Sequence, residues 1–468
     1  MCPPSPPRVH LFARPPVIAA PDTPAAPVGD DLRSGTSEWV AVTAPGHRPA
    51  PGALERLGQA VTLAPQARVI TADDERRSRW GARARPRLRP GPSPDHWLAA
   101  DPDFGLMAVA RESALAVLRG GASLHELFLR LSGPDGTGHA HVPEVLSQRR
   151  GGAGGHEASR AAEAVLSEWE PGARVERAPA GLRVRRPPAA EPAVEAVVGF
   201  RDRPGLLERC AVSVLERSSY ERLTLRLVDN ASTDPGVPPL LERLDRRERV
   251  TVQRDSRPFN FSALNNAAVA GSNADVLVFL NNDTEVITPG WIEDMLEEAL
   301  RPEVGAVAPM LLYPGGRVQH AGVAIGIHGW AGHPFAGLKP GEGTPFGAAH
   351  DGTRNWMAVT AACMMVEKRK FDAVGGFEER FAVGGGDVDL CLRLTAAGYR
   401  SLCVSHVRLL HDESASRDPM AVPVGDFEAS RRSYGEFRTV GDPFYHPALT
   451  LRDTSCRLRA AHEGPPPL

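Results

Sequence analysis

The C-terminal half of this 468-residue chain predicts an α/β fold with a mainly parallel sheet flanked by helices. Short apolar segments alternate there with helical patterns of about 10–15 residues, which is typical of β-α-β units. Polar clusters directly follow several of these segments, for example RDR at 201–203 and NND at 281–283. Ligands of open α/β sheets bind beyond the carboxyl ends of the strands, so these clusters are the first candidates for a functional site.

The elements of this half are predicted in chain order from their apolar spacing. Buried strands are expected at Val194–Phe200, Leu223–Val228, Val250–Gln253, Val276–Leu280 and Val304–Leu312. Helices are expected at Leu206–Glu216, Ser262–Ala270 and Pro289–Leu300. A further polar cluster, GGGDVDLCLR at 384–393, opens another predicted helix and places Asp387 at its N-terminus.

The rest of the chain divides by composition. Residues 1–35 are proline-rich and patternless, which predicts a disordered arm. Residues 36–150 contain shorter ordered pieces, with strands at WVAVTA and ARVITA and a helix between them. Residues 151–193 are interpreted as a connecting helix and linker, 194–440 as the principal domain, and 441–468 as a tail without a recognisable signal.

Charge and hydropathy exclude several functional classes. The formal net charge of −3 lacks the basic footprint of a nucleic-acid-binding protein. No apolar run approaches the ~18 residues that cross a bilayer, and the N-terminus shows no signal peptide, so we expect a cytoplasmic protein. An arginine-rich stretch at 76–89 suits phosphates or anionic membranes, but its prolines favour a solvated loop.

The six cysteines are scattered without paired spacing. Four of them lie in segments with an apolar pattern: Cys210, Cys363, Cys391 and Cys403. This predicts small buried side chains in a reducing cytosol rather than a disulfide framework or a zinc site.

The polar clusters lack the usual phosphate cradles. The turn after the first strand of the principal domain reads GFRDRPG, not GxGxxG, which argues against a dehydrogenase, and the chain contains no GxxxxGK[ST]. A phosphate ligand would then be neutralised by a divalent cation on carboxylates. Asp283 is a good oxygen ligand and Asn281 a weaker one, while His411 offers an imidazole that suits Mn²⁺ or Zn²⁺ better than Mg²⁺.

Eight motifs in order resemble family 2 glycosyltransferases, over roughly residues 194–417. The motifs are VVGFRDRPGLLERC, LVDNASTD, FNFSALNNAA, VFLNNDTEVITPGW, VQHAG, VTAACMMV, GDVDLCLRLTAAGYR and HDESASR. The similarity is greatest to the branch associated with rhamnan, O-antigen and other cell-surface polysaccharides. It implies a GT-A fold, a Rossmann-like sheet that binds a nucleotide-sugar donor.

The resemblance also implies roles for individual residues. Asp229 would contact the nucleoside. Asn281 and Asp283 occupy the DxD position, so Asp283 would bind the diphosphate and a Mn²⁺ or Mg²⁺ ion, with His411 as the third metal-site residue. Asp387 would be the general base of an inverting displacement.

Two residues depart from the family pattern. Asn281 stands where the first Asp of DxD is usual, which predicts weaker metal affinity. Gly386 replaces the usual acid before the base and belongs to a run of three glycines, which predicts a flexible loop at the base. These departures keep open an alternative in which the chain is a non-catalytic carbohydrate-binding scaffold.

Each candidate also has a structural interpretation. Asp229 and Asp387 suit helix or turn caps, Asp283 suits the start of a helix, and Asp389 competes with Asp387 as the base. His411 alone would be read as a surface histidine. His320 and His333 suit a structural role in a loop, and Trp330 and Trp356 suit either a core or a sugar-stacking surface.

The N-terminal region resembles the same family more faintly. EWVAVTAPGHRPAPGALERL and ARVITADDE are similar to the strand, DxD and helix segments of a second such domain, whose DxD position reads Ala44-Pro45-Gly46. The segment GGASLHELFLR has no acid where Asp387 lies in the later domain. We interpret residues 36–150 as a truncated, inactive GT-A-like half-domain.

The sequence therefore predicts a hexosyltransferase-type enzyme. The expected partners are a nucleotide-sugar donor and a cell-surface glycan or lipid-linked acceptor, with peripheral contact at the inner face of the plasma membrane and no nucleic acid.

Overall fold

The computed structural model describes most of the chain and divides it into two compact units. The described residues are 17–19, 36–44, 46–77, 83–100, 104–118, 121–150, 158–178, 181–188, 190–412 and 422–463. The predicted disordered arm falls almost wholly outside them. The units span 1–171 and 172–468, so their boundary falls inside the segment 151–193 that was expected to connect two domains.

The N-terminal unit is built on a seven-stranded sheet with helices packed against it. Its strands are β1 (Val17–Ala19), β2 (Trp39–Thr43), β3 (His47–Pro49), β4 (Val69–Arg77), β5 (Arg83–Arg87), β6 (Leu106–Ala110) and β7 (His139–Arg150). Its helices are α1 (Ala53–Leu63), α2 (Pro94–Ala99), α3 (Arg111–Leu118), α4 (Leu124–Ser132) and α5 (Ala158–Trp169).

The C-terminal unit contains a ten-stranded sheet and two small hairpins. Its strands are β8 (Arg174–Ala178), β9 (Gly181–Arg185), β10 (Val194–Phe200), β11 (Leu223–Asp229), β12 (Val250–Arg254), β13 (Val276–Asn281), β14 (Thr284–Val286), β15 (Val304–Leu312), β16 (Val318–His320), β17 (Ala324–Ile325), β18 (Ala331–Gly332), β19 (Thr353–Trp356), β20 (Cys363–Glu367) and β21 (Arg400–His411). Its helices are α6 (Pro204–Arg217), α7 (Val237–Asp245), α8 (Phe261–Val269), α9 (Trp291–Ala299), α10 (Lys368–Ala373), α11 (Gly386–Ala396), α12 (Val424–Ser433) and α13 (Gly435–Val440).

The large sheet has a parallel half and a mixed half. Strands β12, β11, β10 and β13 are neighbours in parallel pairing, and antiparallel β20 joins them to β15, β21 and β14. Strands β10 and β13 are apolar and buried along nearly their whole length, as sheets covered on both faces require. The expected α/β architecture is confirmed, and the strands predicted at Val194–Phe200 and Val304–Leu312 match their observed bounds.

The two units share one strand order. In the N-terminal sheet the path is β1-β2-β6-β4-β7-β3, and in the C-terminal sheet it is β10-β13-β20-β15-β21-β14. The pairings run parallel, antiparallel, antiparallel, parallel and antiparallel along both paths. A short antiparallel strand also joins β4 and β15 in the same way. In the described residues, the C-terminal sheet extends this shared core by β11 and β12 beside β10 and by β19 beside β21.

Three segments differ from the expectation drawn from composition. The arginine-rich stretch is not a solvated loop throughout: residues 83–87 form β5, and buried Arg89 bonds to Asp74 and to the carbonyl of Ala72 (2.8 Å). Residues 174–178 and 181–185 form the antiparallel strands β8 and β9. The predicted tail is ordered over 441–463, where Asp442 accepts a hydrogen bond from the N–H of Ile325 (2.8 Å).

The predicted cysteine environment is confirmed. Cys210, Cys363, Cys391 and Cys403 are buried free thiols, and burial raises the pKa of Cys210, Cys391 and Cys403 to about 12. These thiols therefore stay protonated and pack as small apolar groups. Among the described residues, no helix has the length and apolar character that crossing a membrane requires.

Candidate active site

A cleft of about 730 Å³ lies at the carboxyl ends of the parallel strands in the C-terminal unit. Residues that follow β10, β11 and β13 line one side of it, represented by Arg201, Asn230 and Asp283. The segment 319–333 and the loop before α11 line other parts of it, together with residues from 259–265 and 360–362. The cleft is thus placed where ligands of open α/β sheets bind.

Asp283 and His411 meet inside this cleft although 128 positions separate them in the sequence. Strand β14 begins at Thr284 and pairs with the end of β21, where Thr284 lies opposite His411. This pairing brings Asp283 Oδ1 to 3.2 Å from His411 Nε2. Asn281 Nδ2 lies 3.3 Å from the same nitrogen. The structure therefore brings together three of the residues singled out by the sequence.

The pair has the features of a cation site. Asp283 and His411 are 8% and 5% exposed. Within the described part of the chain, neither Asp283 Oδ1 nor His411 Nδ1 has a hydrogen-bond partner. Leaving buried polar atoms unpaired is unfavourable, and a bound cation removes that cost at the carboxylate. A mixed carboxylate and imidazole set suits Mn²⁺, so these residues fit a divalent cation.

Asp387 lies in the first turn of α11 and lines the same cleft. Its Oδ2 accepts a hydrogen bond from the N–H of Ala361 (3.1 Å), and its Oδ1 accepts one from Val388 (2.9 Å). The competing carboxylate, Asp389, is engaged elsewhere: it accepts from Arg393 Nε (2.8 Å) and Ser433 Oγ (2.6 Å). Asp387 is therefore the carboxylate of this helix that faces the cleft.

The loop that carries Asp387 is held in place, contrary to the flexibility expected from its three glycines. The buried carboxylate of Asp426 on α12 accepts backbone hydrogen bonds from Ala382 (3.0 Å), Val383 (2.8 Å) and Gly384 (2.8 Å). There is also a steric reason for glycine at position 386, because a Cβ there would lie 3.0 Å from Ser262 Oγ. The position where the family resemblance implies an acid is thus tightly packed here.

Asp229 is placed differently from its neighbour Asn230. Asp229 is buried, and its Oδ1 accepts a hydrogen bond from the N–H of Ser232 (2.8 Å), which closes the turn after β11. Asn230 lines the cleft, and its Nδ2 donates to the carbonyls of Asp255 (2.9 Å) and Arg257 (2.8 Å). These two bonds fix the amide, and its buried Oδ1 has no hydrogen-bond partner among the described residues.

The segment 318–336 forms a wall of the cleft, which we call the cleft wall. His320 Nδ1 lies 3.0 Å from His333 Nδ1, and burial holds the pKa of fully buried His320 well below its usual value. Gln319 and Trp330 line the cleft, whereas Trp356 is a core residue with 1% exposure. The sequence reasoning did not single out Asn230, Gln319 or Asp426; only Asn230 carried a signal, as a polar residue directly after a strand.

The N-terminal unit has different residues at the equivalent positions. His47 and Arg149 form the β3–β7 pair that corresponds to Thr284 and His411, so an arginine replaces the histidine. In α4, Arg130 Nε bonds to Glu126 (2.8 Å), as Arg393 bonds to Asp389 in α11. Each helix carries this ion pair between residues four positions apart. When the two helices are aligned on the pair, Leu124 occupies the position of Asp387.

Comparison with known proteins shows a family match within the C-terminal unit. Residues 196–369 match the sequence model of Glycosyl transferase family 2. The chain is 40% identical over 430 residues to the O-antigen biosynthesis protein RfbC of Myxococcus xanthus, covering 87% of this chain and 33% of that protein. It is 29% identical over 244 residues to the N-acetylglucosaminyl-diphospho-decaprenol L-rhamnosyltransferase of Mycobacterium tuberculosis (strain ATCC 25618 / H37Rv), covering 46% and 74%.

Other matches cover only parts of the chains compared. The uncharacterized protein y4gI of Sinorhizobium fredii (strain NBRC 101917 / NGR234) is 33% identical over 86% of this chain, which spans 47% of that protein. The chain thus spans between a third and a half of these two longer relatives. The mannosyltransferase PcManGT of Pyrobaculum calidifontis, solved with GDP-Man and Mn²⁺, overlaps 51% of this chain and 60% of its own at 16% identity, with a TM-score of 0.37.

The predicted resemblance and GT-A fold are confirmed. The family match covers β10 through β20, the strands that carry the cleft-lining residues Arg201, Asn230 and Asp283. Residues 196–369 therefore match a glycosyltransferase domain of family 2.

Proposed function

We propose that the chain is an inverting glycosyltransferase that moves a sugar from a nucleotide-sugar donor to a cell-surface glycan or a lipid-linked acceptor. The observation that carries the proposal is the shared cleft: Asp387 lines it together with the adjacent pair Asp283 and His411. A base and a cation site in one cleft match the two chemical needs of glycosyl transfer from a diphosphate.

The donor is proposed to bind along the carboxyl ends of β10, β11 and β13. The turn closed by Asp229 presents Asn230, whose unpaired Oδ1 offers an acceptor to an N–H of the nucleobase. Asp229 therefore contributes to nucleoside binding through the shape of this turn. Asn281 and Asp283 lie next along the cleft, where the diphosphate would be bound.

A divalent cation, Mn²⁺ or Mg²⁺, would be held by Asp283 and His411. When bound, it would neutralise the diphosphate and so stabilise the leaving group. Asn281 is a neutral amide beside this pair, so the affinity for the cation should be lower than with two carboxylates.

Asp387 is proposed to take the proton of the acceptor hydroxyl. The hydroxyl oxygen then forms its bond to the anomeric carbon on the face opposite the diphosphate, the bond from that carbon to the diphosphate oxygen breaks, and the nucleoside diphosphate leaves. This single displacement inverts the anomeric configuration. General base catalysis of this kind contributes about 10²–10⁴ in rate.

The N-terminal unit is proposed to be a truncated, non-catalytic relative of the same fold. The shared strand order supports this, and so does the replacement of His411 by Arg149 and of Asp387 by Leu124. A guanidinium does not bind a cation, and leucine does not accept a proton. Catalysis would then reside in the C-terminal unit alone.

The class of acceptor is supported by the names of the relatives. One is named for O-antigen biosynthesis and another for transfer of rhamnose to a decaprenol-linked sugar. We propose an acceptor of this chemical kind, a glycan or a lipid-linked sugar, with peripheral contact at the inner face of the membrane.

The test is the substitution Asp387→Asn in the full chain, with Asp389→Asn, two positions further along the same helix, as its matched control. Donor binding by Asp387→Asn should equal that of the wild type, while release of nucleoside diphosphate in the presence of acceptor should fall by about 10²-fold or more. Asp389→Asn should retain turnover. Unchanged turnover in Asp387→Asn would favour the scaffold alternative.

A further inference from the structure

We infer that Trp330 and Gln319 form a subsite for a pyranose ring of the acceptor, in the cleft that Asp387 also lines. The inference rests on the proposed function and deepens it, because it assigns residues that recognise the acceptor rather than the donor. Both residues belong to the cleft wall and line the cleft that contains Asp387.

Trp330 is a half-buried tryptophan held at a defined angle. The guanidinium of Arg438 lies over its ring at 4.8 Å from the centroid. The ring of Phe427 packs beside it at 4.9 Å, tilted by 56°. An indole fixed by a cation and a second ring still lines the cleft, where it offers π surface to the C–H bonds of a sugar ring.

Gln319 supplies the polar half of the subsite. Its side chain is 5% exposed and lines the cleft, and its Oε1 has no hydrogen-bond partner in the described ranges. A buried amide oxygen without a partner carries a desolvation cost that a ligand hydroxyl relieves by donating a hydrogen bond. Sugar rings carry such hydroxyls beside apolar C–H faces, which matches an amide oxygen and an indole in one cleft.

The position of Trp330 points to the acceptor rather than the donor. Trp330 packs on Phe427 of α12, and Asp426 of the same helix holds the loop that carries Asp387. The subsite is thus connected to the base by one helix. Asn230, which is proposed to contact the nucleobase of the donor, follows β11 on the parallel half of the sheet.

The segment that follows α13 holds the cleft wall in position. Asp442 accepts from the N–H of Ile325 (2.8 Å), the carbonyl of Leu451 accepts from His328 (2.7 Å), and that of Thr454 accepts from Phe335 (2.7 Å). These bonds lie on both sides of Trp330 in the chain. A wall tied at several points keeps the subsite formed before the sugar binds, which lowers the entropic cost of binding.

The experiment is saturation-transfer NMR on the full chain with a panel of p-nitrophenyl glycosides of hexoses, N-acetylhexosamines and 6-deoxyhexoses, at saturating nucleotide and Mn²⁺. We expect transfer to the ring protons of at least one glycoside in the wild type. Trp330→Ala should weaken that binding about tenfold or more, and Trp330→Phe should retain most of it. Gln319→Ala, which leaves the aromatic packing intact, should also weaken it.

Nucleotide affinity, measured by calorimetry on the same samples, separates this inference from the proposed function. It should change less than about twofold in both variants. The acceptor assignment is overturned if no glycoside shows transfer that depends on Trp330 or Gln319, or if either substitution weakens nucleotide binding instead. Cation-dependent nucleotide binding that persists in that case would leave the proposed function standing.

Discussion

Asp283 Oδ1 lies 3.2 Å from His411 Nε2, and the two side chains reach this distance because β14 and β21 pair at Thr284 and His411. Neither residue could hold a cation alone with useful affinity. Their meeting depends on a three-residue strand that follows the NND cluster directly. The proposed cation site is therefore a product of sheet topology.

The first prediction concerns this pair. Asp283→Ala and His411→Ala should each weaken Mn²⁺-dependent nucleotide binding by about 10-fold or more, because each removes one of two protein ligands. Asp412→Asn is the matched control, since Asp412 adjoins His411 but its carboxylate contacts Arg209 at 3.9 Å. Calorimetric titration with and without Mn²⁺ makes the measurement. Equal loss in the control would contradict the assignment.

The second prediction separates the two acidic residues of α11. Asp389→Asn breaks the bonds to Arg393 and Ser433, so the free energy of unfolding should fall by about 1–3 kcal/mol. Asp387→Asn should change stability less, because it breaks one of the two backbone hydrogen bonds that Asp387 accepts and leaves the ion pair between Arg393 and Asp389 intact. Urea unfolding monitored by fluorescence compares them. A larger stability loss in Asp387→Asn would reverse the roles assigned here.

The third prediction concerns the loop before the base. Asp426→Asn converts one accepting oxygen into a donor that faces backbone N–H groups, so the loop at 382–384 should loosen. We expect kcat to fall about tenfold while nucleotide affinity stays unchanged, because Asp426 positions the base but lies outside the proposed donor subsite. Steady-state kinetics and calorimetry together test this. A loss confined to nucleotide affinity would argue against a positioning role.

The fourth prediction concerns pH and the N-terminal unit. Burial lowers the pKa of His125 from its usual value of about 6.5 to about 4. The unfolded chain therefore binds a proton between these pH values that the native state does not, and stability falls as pH falls from 6.5 to 4, by about 3 kcal/mol in total.

His125→Gln removes this titration and keeps a donor for the carbonyl of Trp97, which His125 Nε2 contacts at 3.2 Å. The variant should show a shallower loss of unfolding free energy between pH 7 and pH 5 in urea titrations, with a difference of about 2 kcal/mol at pH 5. Burial also lowers the pKa values of His139 and His320, and both histidines are present in the wild type and in the variant. Parallel pH profiles would contradict the assignment.

The sequence was most informative where the fold is most buried. The strand at Val304–Leu312 is a continuous apolar run, and that at Val194–Phe200 is interrupted only by Glu195; their bounds were predicted because sheets covered on both faces require such segments. Asp283, His411 and Asp387 were found through family motifs, since their separation in sequence hides their meeting in one cleft.

Other features depend on contacts that no local pattern encodes. The hydrogen bonds that Asp426 accepts from the glycine loop join residues more than forty positions apart. Composition alone does not show these bonds and therefore predicted a flexible loop. The different placements of Asp229 and Asn230 depend on the turn that Asp229 itself closes. The sequence does not distinguish the roles of Trp330 and Trp356. Only their burial in the structure shows that Trp330 lines the cleft and Trp356 lies in the core.

The most direct test of the central claim is calorimetric titration of the folded chain with UDP, dTDP and GDP, each with and without Mn²⁺. The account predicts that one nucleotide binds, that binding collapses without Mn²⁺, and that Asp283→Ala abolishes the Mn²⁺ dependence. Absence of binding by all three, or binding that is indifferent to both Mn²⁺ and Asp283, would contradict the account.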